Sequence, residues 1–122
     1  MIRPGHLAWL GPTGIAALSL APADIQLRTG APAEVEHVAA YLCAGSLLAL
    51  LYGRSLVALC VIAAALTGGA VALELAQIWL PGRVPTVRDV VASAFGAFAG
   101  VIAGAFLREA AAAFDAKRPP AE

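Results

Sequence analysis

The residues best suited to chemistry lie in one stretch, "ELAQIWLPGRVPTVRD", residues 74–89. Glu74 and Gln77 are three positions apart, so on a helix they project from neighbouring positions of one face. Acids within apolar helices usually face the interior of a bundle and need a partner there. Arg83 and Arg88 are the nearby cations that can pair with Glu74. We therefore predict a polar ligand-binding site, in which Arg83 positions an anionic group through charge-assisted hydrogen bonds.

Residues on either side of this stretch extend the site. Thr86 and Asp89 have the spacing of a capping box, so Asp89 is explained either by helix capping or by a role in the site, and the two roles are compatible. His37 opens an apolar run, and Tyr41 follows one turn later on the same face. A histidine there is either a proton carrier or a polar residue at a helix end. The predicted topology brings His37 toward residues 74–89.

The composition around these residues is that of a membrane protein. The chain has 122 residues, of which 61% are hydrophobic and 13% are charged, and its mean hydropathy is +0.83. Soluble domains are much less apolar. The net charge is zero and no block of like charge occurs, so we expect membrane lipid as a partner and no nucleic acid. One transmembrane domain accounts for residues 1–122.

Uncharged runs divide the chain into four apolar segments, which predicts an all-α protein of four transmembrane helices in a compact bundle. Between the second and third runs, Gly53 is expected to supply backbone freedom and Ser55 to cap the next helix. The first run has a second interpretation, a secretory signal ending near residues 21–23. The predicted spans are about 5–23, 37–53, 55–80 and 87–108, and the predicted disordered tail is about 116–122.

Charge and small residues predict how these helices are arranged. With four spans, five Lys and Arg residues fall on one side and three on the other, which favours N- and C-termini in the cytoplasm. Gly96, Gly100 and Gly104 recur every four residues, so one face of the last helix lacks side chains and allows a close helix contact. A contact within the chain is favoured over one with a second copy, and homo-oligomers stay open.

The sequence lacks the usual signatures of catalysis and of bound cofactors. Cys43 and Cys60 fall inside apolar runs without His or Cys partners at ligand spacing, so we expect both to be buried packing residues. No nucleophile stands near an obvious base, and no glycine-rich nucleotide loop or metal-ligand cluster is found. We therefore predict no metal and no cofactor, and leave open whether the protein is an enzyme.

The order of these motifs resembles the VanZ-like family of small integral membrane proteins. The stretches "EVEHVAAYLCAGSLLALLYGR" and "ALELAQIWLPGRVPTVRDVVASAFGAFAGVIAG" carry the resemblance, over roughly residues 34–104. Two positions depart from the family's pattern, since Ala33-Glu34 stands for an Asp-Lys pair and Ser93 for an Asn. The matching positions are His37, Tyr41, Glu74, Gln77, Arg83, Asp89, Gly96 and Gly100.

This resemblance implies a multi-pass protein of the bacterial inner, or cytoplasmic, membrane with a cell-envelope role. The family is named after an accessory protein of glycopeptide resistance that is associated with low-level teicoplanin resistance. Our first hypothesis is an outward-facing site that binds a lipid-linked glycan, a peptidoglycan precursor or a glycopeptide. The alternatives are a membrane enzyme in which His37 and a carboxylate perform acid–base catalysis, and a small proton-coupled transporter that uses Glu74. The predicted site residues are His37, Tyr41, Glu74, Gln77, Arg83, Asp89 and Ser93.

Overall fold

The chain folds into α-helices joined by short connections. The computed structural model describes residues 6, 9–21, 24 and 29–117, and within these ranges it contains no strand. The helices are α1 (Leu10–Leu20), α2 (Ala33–Tyr52), α3 (Leu56–Gln77) and α4 (Val87–Asp115). Helices α2, α3 and α4 are each long and apolar enough to cross a membrane. The predicted all-α class is thus confirmed, while the tail from residue 118 onward lies outside the described residues.

Helix α1 is much shorter than the other three. Its 11 residues extend about 16 Å, roughly half of the hydrocarbon thickness of a bilayer. Gly11 lies against Ala44, near the middle of α2, and the last turn of α1 lies beside Gln77 at the end of α3. Parts of the predicted first span, residues 5–23, lie outside the described residues, so a bundle of four full spans stays a prediction.

The closest helix contact joins α2 to α4, which run in the same direction. Gly96, Gly100 and Gly104 face the backbone of α2, and a Cβ atom at any of the three would overlap a carbonyl oxygen there. Gly45 makes the reciprocal contact from α2, since a Cβ on it would lie 2.8 Å from the carbonyl oxygen of Ala97. The two backbones therefore pack directly on each other. The three carbonyl oxygens belong to Val38, Leu42 and Ser46.

The turn between α2 and α3 confirms one local prediction and corrects another. The Ser55 hydroxyl accepts a hydrogen bond from the Ala58 N–H at 3.1 Å, so Ser55 caps α3 as expected. Gly53 has an ordinary φ of −73°, so the turn does not use its backbone freedom. It needs glycine for space, because a Cβ there would lie 2.5 Å from the Ala49 carbonyl oxygen. Positive φ angles occur elsewhere, at Gly30 (89°) and at Gly82 after α3 (75°).

The outer surface of the bundle is apolar, and this corrects the prediction for the cysteines. Only 17% of the most apolar segment of α3 is buried inside the protein. Val61, Ile102 and Phe106 are among the large side chains left exposed. Such a surface suits contact with lipid tails. Cys43 and Cys60 are free and exposed on it, because packing through glycine and alanine buries only a narrow strip of each helix. The expectation that both are buried was wrong.

The Gly100 contact can be tested with a matched pair of variants. Gly100→Ala should lower the free energy of unfolding by about 1–3 kcal/mol, because the added methyl group overlaps the Leu42 carbonyl. Gly69→Ala is the control, since nothing lies within 4 Å of a Cβ at that position of α3. Unfolding of the detergent-solubilised protein by heat or by SDS measures both. Equal losses in the two variants would contradict a steric requirement for glycine at the α2–α4 contact.

Candidate functional site

Three helix ends meet at one end of the bundle, because α3 runs opposite to α2 and α4. His37 lies in the second turn of α2, Glu74 in the last turn of α3 and Asp89 in the first turn of α4. One side-chain nitrogen or oxygen from each residue lies within 4.8 Å of those from the other two. The structure thus brings together three of the residues that the sequence analysis assigned to a site, although they are far apart along the chain.

Glu74 connects the end of α3 to the beginning of α4. Its side chain is 6% exposed, and its Oε2 accepts a hydrogen bond from the Thr86 N–H at 3.0 Å. The Thr86 hydroxyl accepts one from the Asp89 N–H at 3.1 Å. In a complete capping box the carboxylate of Asp89 would bind the Thr86 N–H, but Glu74 occupies that donor. The Asp89 carboxylate is therefore left free to face His37 and Glu74.

Ser93 holds the imidazole ring of His37 through a hydrogen bond. The two side chains are linked by a 3.0 Å hydrogen bond between His37 Nδ1 and Ser93 Oγ. Ser93 also hydrogen-bonds to Tyr41, which lies close enough to Glu74 for an electrostatic interaction. Because Ser93 is 1% exposed, a substrate cannot reach its hydroxyl, which serves to orient the ring. We call His37, Tyr41, Glu74, Asp89 and Ser93 the polar cluster.

Arg83 and Gln77 are directed to α1 rather than to the polar cluster. Arg83 Nε donates to the Ala21 carbonyl oxygen at 3.2 Å, and its Nη2 donates at 3.0 Å to the carbonyl oxygens of Leu18 and Ala21. Gln77 Nε2 donates to the Ser19 carbonyl oxygen at 3.1 Å. The last carbonyls of a helix have no partner within it, and these two side chains supply partners for α1.

This arrangement corrects the roles expected for Arg83 and Gln77. Among the described residues no salt bridge joins Arg83 or Arg88 to Glu74, whose hydrogen bond comes instead from the backbone of Thr86. Three of the five N–H donors of Arg83 serve α1, so its side chain is directed toward α1 rather than toward the cluster. Both side chains therefore support the site by holding α1 in place.

An open cavity between α1 and α2 leads to the polar cluster. Its volume is about 310 Å³, and its lining includes His37, Tyr41, Ser19, Thr29 and Glu36. A cavity of this size accommodates a small ligand or one group of a larger one. A larger groove of about 640 Å³ lies between α3 and α4 at the opposite end, around Arg54 and Glu109. It contains no residue of the polar cluster.

The possibility of metal coordination at the polar cluster is not evident from the sequence. The sequence predicted no metal-ligand cluster, because His37, Glu74 and Asp89 show no ligand spacing along the chain. Their side-chain donors nevertheless come together from three helices. The available signal was topological, since alternating helix directions place the three residues at one end of the bundle. A second signal was Thr86, whose spacing to Asp89 marks the start of α4.

The fold and the polar cluster define a small helical protein with three candidate membrane spans and a polar site at one end of its bundle. No family model, no curated protein and no solved structure matches this chain. Its function must therefore be inferred from the side chains themselves.

The role of Arg83 can be separated from that of a ligand-binding residue. Arg83→Ala should destabilise the last turn of α1 by about 1.5–3 kcal/mol, because charge-assisted hydrogen bonds to the Leu18 and Ala21 carbonyls are lost. Hydrogen–deuterium exchange should show faster exchange in residues 10–21. Arg88→Ala, at an exposed arginine of the same end, is the control and should leave that exchange unchanged. Unaltered exchange in Arg83→Ala would refute the role in holding α1.

Proposed function

We propose that this protein is an integral membrane protein of the bacterial cell envelope whose polar cluster binds an envelope ligand. The observation that carries this proposal is the convergence of His37, Glu74 and Asp89 within 4.8 Å of one another. Ionisable groups are energetically costly in apolar surroundings and are rare there. Acids at such positions therefore commonly mark binding sites. Asp89 also has a helix-end role, because its N–H binds the Thr86 hydroxyl and its carboxylate favours the helix dipole, and this role is compatible with the proposed site.

The chemistry of the cluster favours a ligand that donates hydrogen bonds. Glu74 and Asp89 offer carboxylate oxygens, which only accept when ionised, and Arg83 is directed toward the carbonyl oxygens of α1. Hydroxyl and ammonium groups complement such a surface, and charge strengthens each hydrogen bond. We infer a sugar or peptide portion of a lipid-linked glycan, a peptidoglycan precursor or a glycopeptide. The anionic group that the sequence analysis expected fits this cluster less well.

The cavity between α1 and α2 gives such a ligand a route to the cluster. Its wall combines the apolar side chain of Ile15 with the polar groups of Ser19 and His37. Mixed walls of this type suit ligands that carry both apolar and polar groups. A lipid-linked ligand would enter this cavity with its polar portion toward His37 and its apolar portion toward the bilayer.

The proposed location and orientation follow from charge and from the family resemblance. We place the protein in the cytoplasmic membrane with the polar cluster on the outer side and both termini in the cytoplasm, since a four-span topology puts more Lys and Arg on the side opposite to residues 74–89. An outward-facing site would meet envelope ligands directly. The VanZ-like resemblance extends the proposal to resistance against glycopeptides such as teicoplanin.

Ligand binding by the polar cluster is tested with purified, EDTA-treated protein and two probes, teicoplanin and a lipid-linked peptidoglycan precursor. We expect at least one probe to bind, and His37→Ala and Asp89→Asn to weaken that binding about tenfold or more, since a hydrogen bond to a charged group contributes about 1.5–3 kcal/mol. Glu109→Gln, in the groove at the opposite end, should bind as the unmodified protein does. Isothermal titration calorimetry measures each affinity.

Two results would contradict the proposal. One is binding of neither probe by folded protein. The other is binding of equal strength in all three variants, which would place the ligand elsewhere on the molecule.

A further inference from the structure

Within residues 6, 9–21, 24 and 29–117, two acidic side chains of the polar cluster have no lysine or arginine partner. The donor atoms of Glu74 and Asp89 lie within 4.8 Å of each other and of His37, and Glu74 is buried. Among the described residues no lysine or arginine forms a salt bridge with either acid. Two ionised carboxylates at this separation repel each other. A bound cation between them would remove this repulsion.

We propose that His37, Glu74 and Asp89 bind a divalent transition-metal ion of the Zn²⁺ type. They supply one nitrogen and two oxygen donors, and all three come from helix ends rather than from loose loops. Donors about 2.0–2.2 Å from a tetrahedral Zn²⁺ lie roughly 3.3–3.6 Å apart. Small side-chain rotations therefore suffice to close the present arrangement around an ion.

The hydrogen bonds of the cluster leave a second side-chain donor atom unused on Glu74 and on His37. Glu74 uses Oε2 to accept from the Thr86 N–H, which leaves Oε1 available. His37 uses Nδ1 to bind Ser93, which leaves Nε2 available. A metal-binding histidine is usually held through its other ring nitrogen in this manner, and such outer contacts orient the metal ligands. Ser93 and the Thr86 N–H thus act as positioning groups for the proposed site.

The donor types select the class of ion. Imidazole together with carboxylates suits Zn²⁺, Mn²⁺ or Fe²⁺, whereas Mg²⁺ and Ca²⁺ prefer sites made of oxygen atoms alone. Three protein donors are also fewer than a structural zinc site requires, so at least one coordination position remains for water or for a ligand group. The inference goes beyond the proposed function, because metal binding by this cluster does not depend on any envelope ligand.

Metal binding is tested on the full chain, in detergent, after removal of any polyhistidine tag and treatment with EDTA. Zn²⁺ titration by calorimetry and elemental analysis should give one ion per chain. Co²⁺ should give a visible absorption band that Zn²⁺ abolishes and that excess Mg²⁺ does not. His37→Ala, Glu74→Gln and Asp89→Asn should each weaken Zn²⁺ binding at least tenfold, and Ser93→Ala about tenfold.

Glu34→Gln is the matched control, because it removes a carboxylate from the first turn of α2, at the same end but outside the cluster. Its Zn²⁺ affinity should equal that of the unmodified chain. Glu74→Gln retains an oxygen acceptor for the Thr86 N–H, and circular dichroism verifies that each variant is folded. Absent Zn²⁺ binding, or binding that no cluster variant weakens more than Glu34→Gln does, overturns the proposal.

The two proposals fail separately. Metal is titrated without any envelope ligand, and the envelope ligand is titrated in EDTA. Loss of ligand binding therefore cannot produce a negative result in the metal titration.

Discussion

The hydrogen bond from the Thr86 N–H to Glu74 is the interaction on which the polar end of this molecule depends. It joins the last turn of α3 to the N-cap of α4 and gives a buried carboxylate a partner. It also occupies the donor that a complete capping box would offer to Asp89. One contact thus joins two helices and leaves the Asp89 carboxylate without its capping-box donor. A side-chain nitrogen of His37 lies within 4.8 Å of that second carboxylate.

Short helix α1 explains why so many polar side chains occur near this interaction. A helix that ends within an apolar environment leaves carbonyl oxygens that water cannot satisfy. Gln77, in the last turn of α3, and Arg83, in the connection that follows, supply donors to those oxygens. The polar stretch 74–89 therefore serves two purposes. Glu74 and Asp89 belong to the cluster, while Gln77 and Arg83 satisfy the backbone of α1.

The sequence predicted features that depend on residues close together in the chain, such as helix caps. It did not predict hydrogen bonds from side chains to distant backbone carbonyls. The N-caps Ser55 and Thr86 are visible in the sequence because their hydrogen bonds reach only three residues ahead. The all-helical class follows from apolar runs of helical length. The partner of Arg83 is a set of carbonyl oxygens, which every residue possesses, so no residue type signalled it. The pairing of Arg83 with an acid was accordingly the natural but mistaken expectation.

Direct backbone packing between α2 and α4 has a consequence for how the molecule can change shape. The carbonyl oxygens of Val38, Leu42 and Ser46 each occupy the hollow above a glycine of α4, spaced one turn apart. Sliding either helix by a single residue would move all three oxygens off the glycines at once, so small shifts between these two helices are disfavoured. The end of α1 and the connection after α3 are joined differently, by the side-chain hydrogen bonds of Arg83, which can break one at a time. Changes of shape are therefore easier there than between α2 and α4.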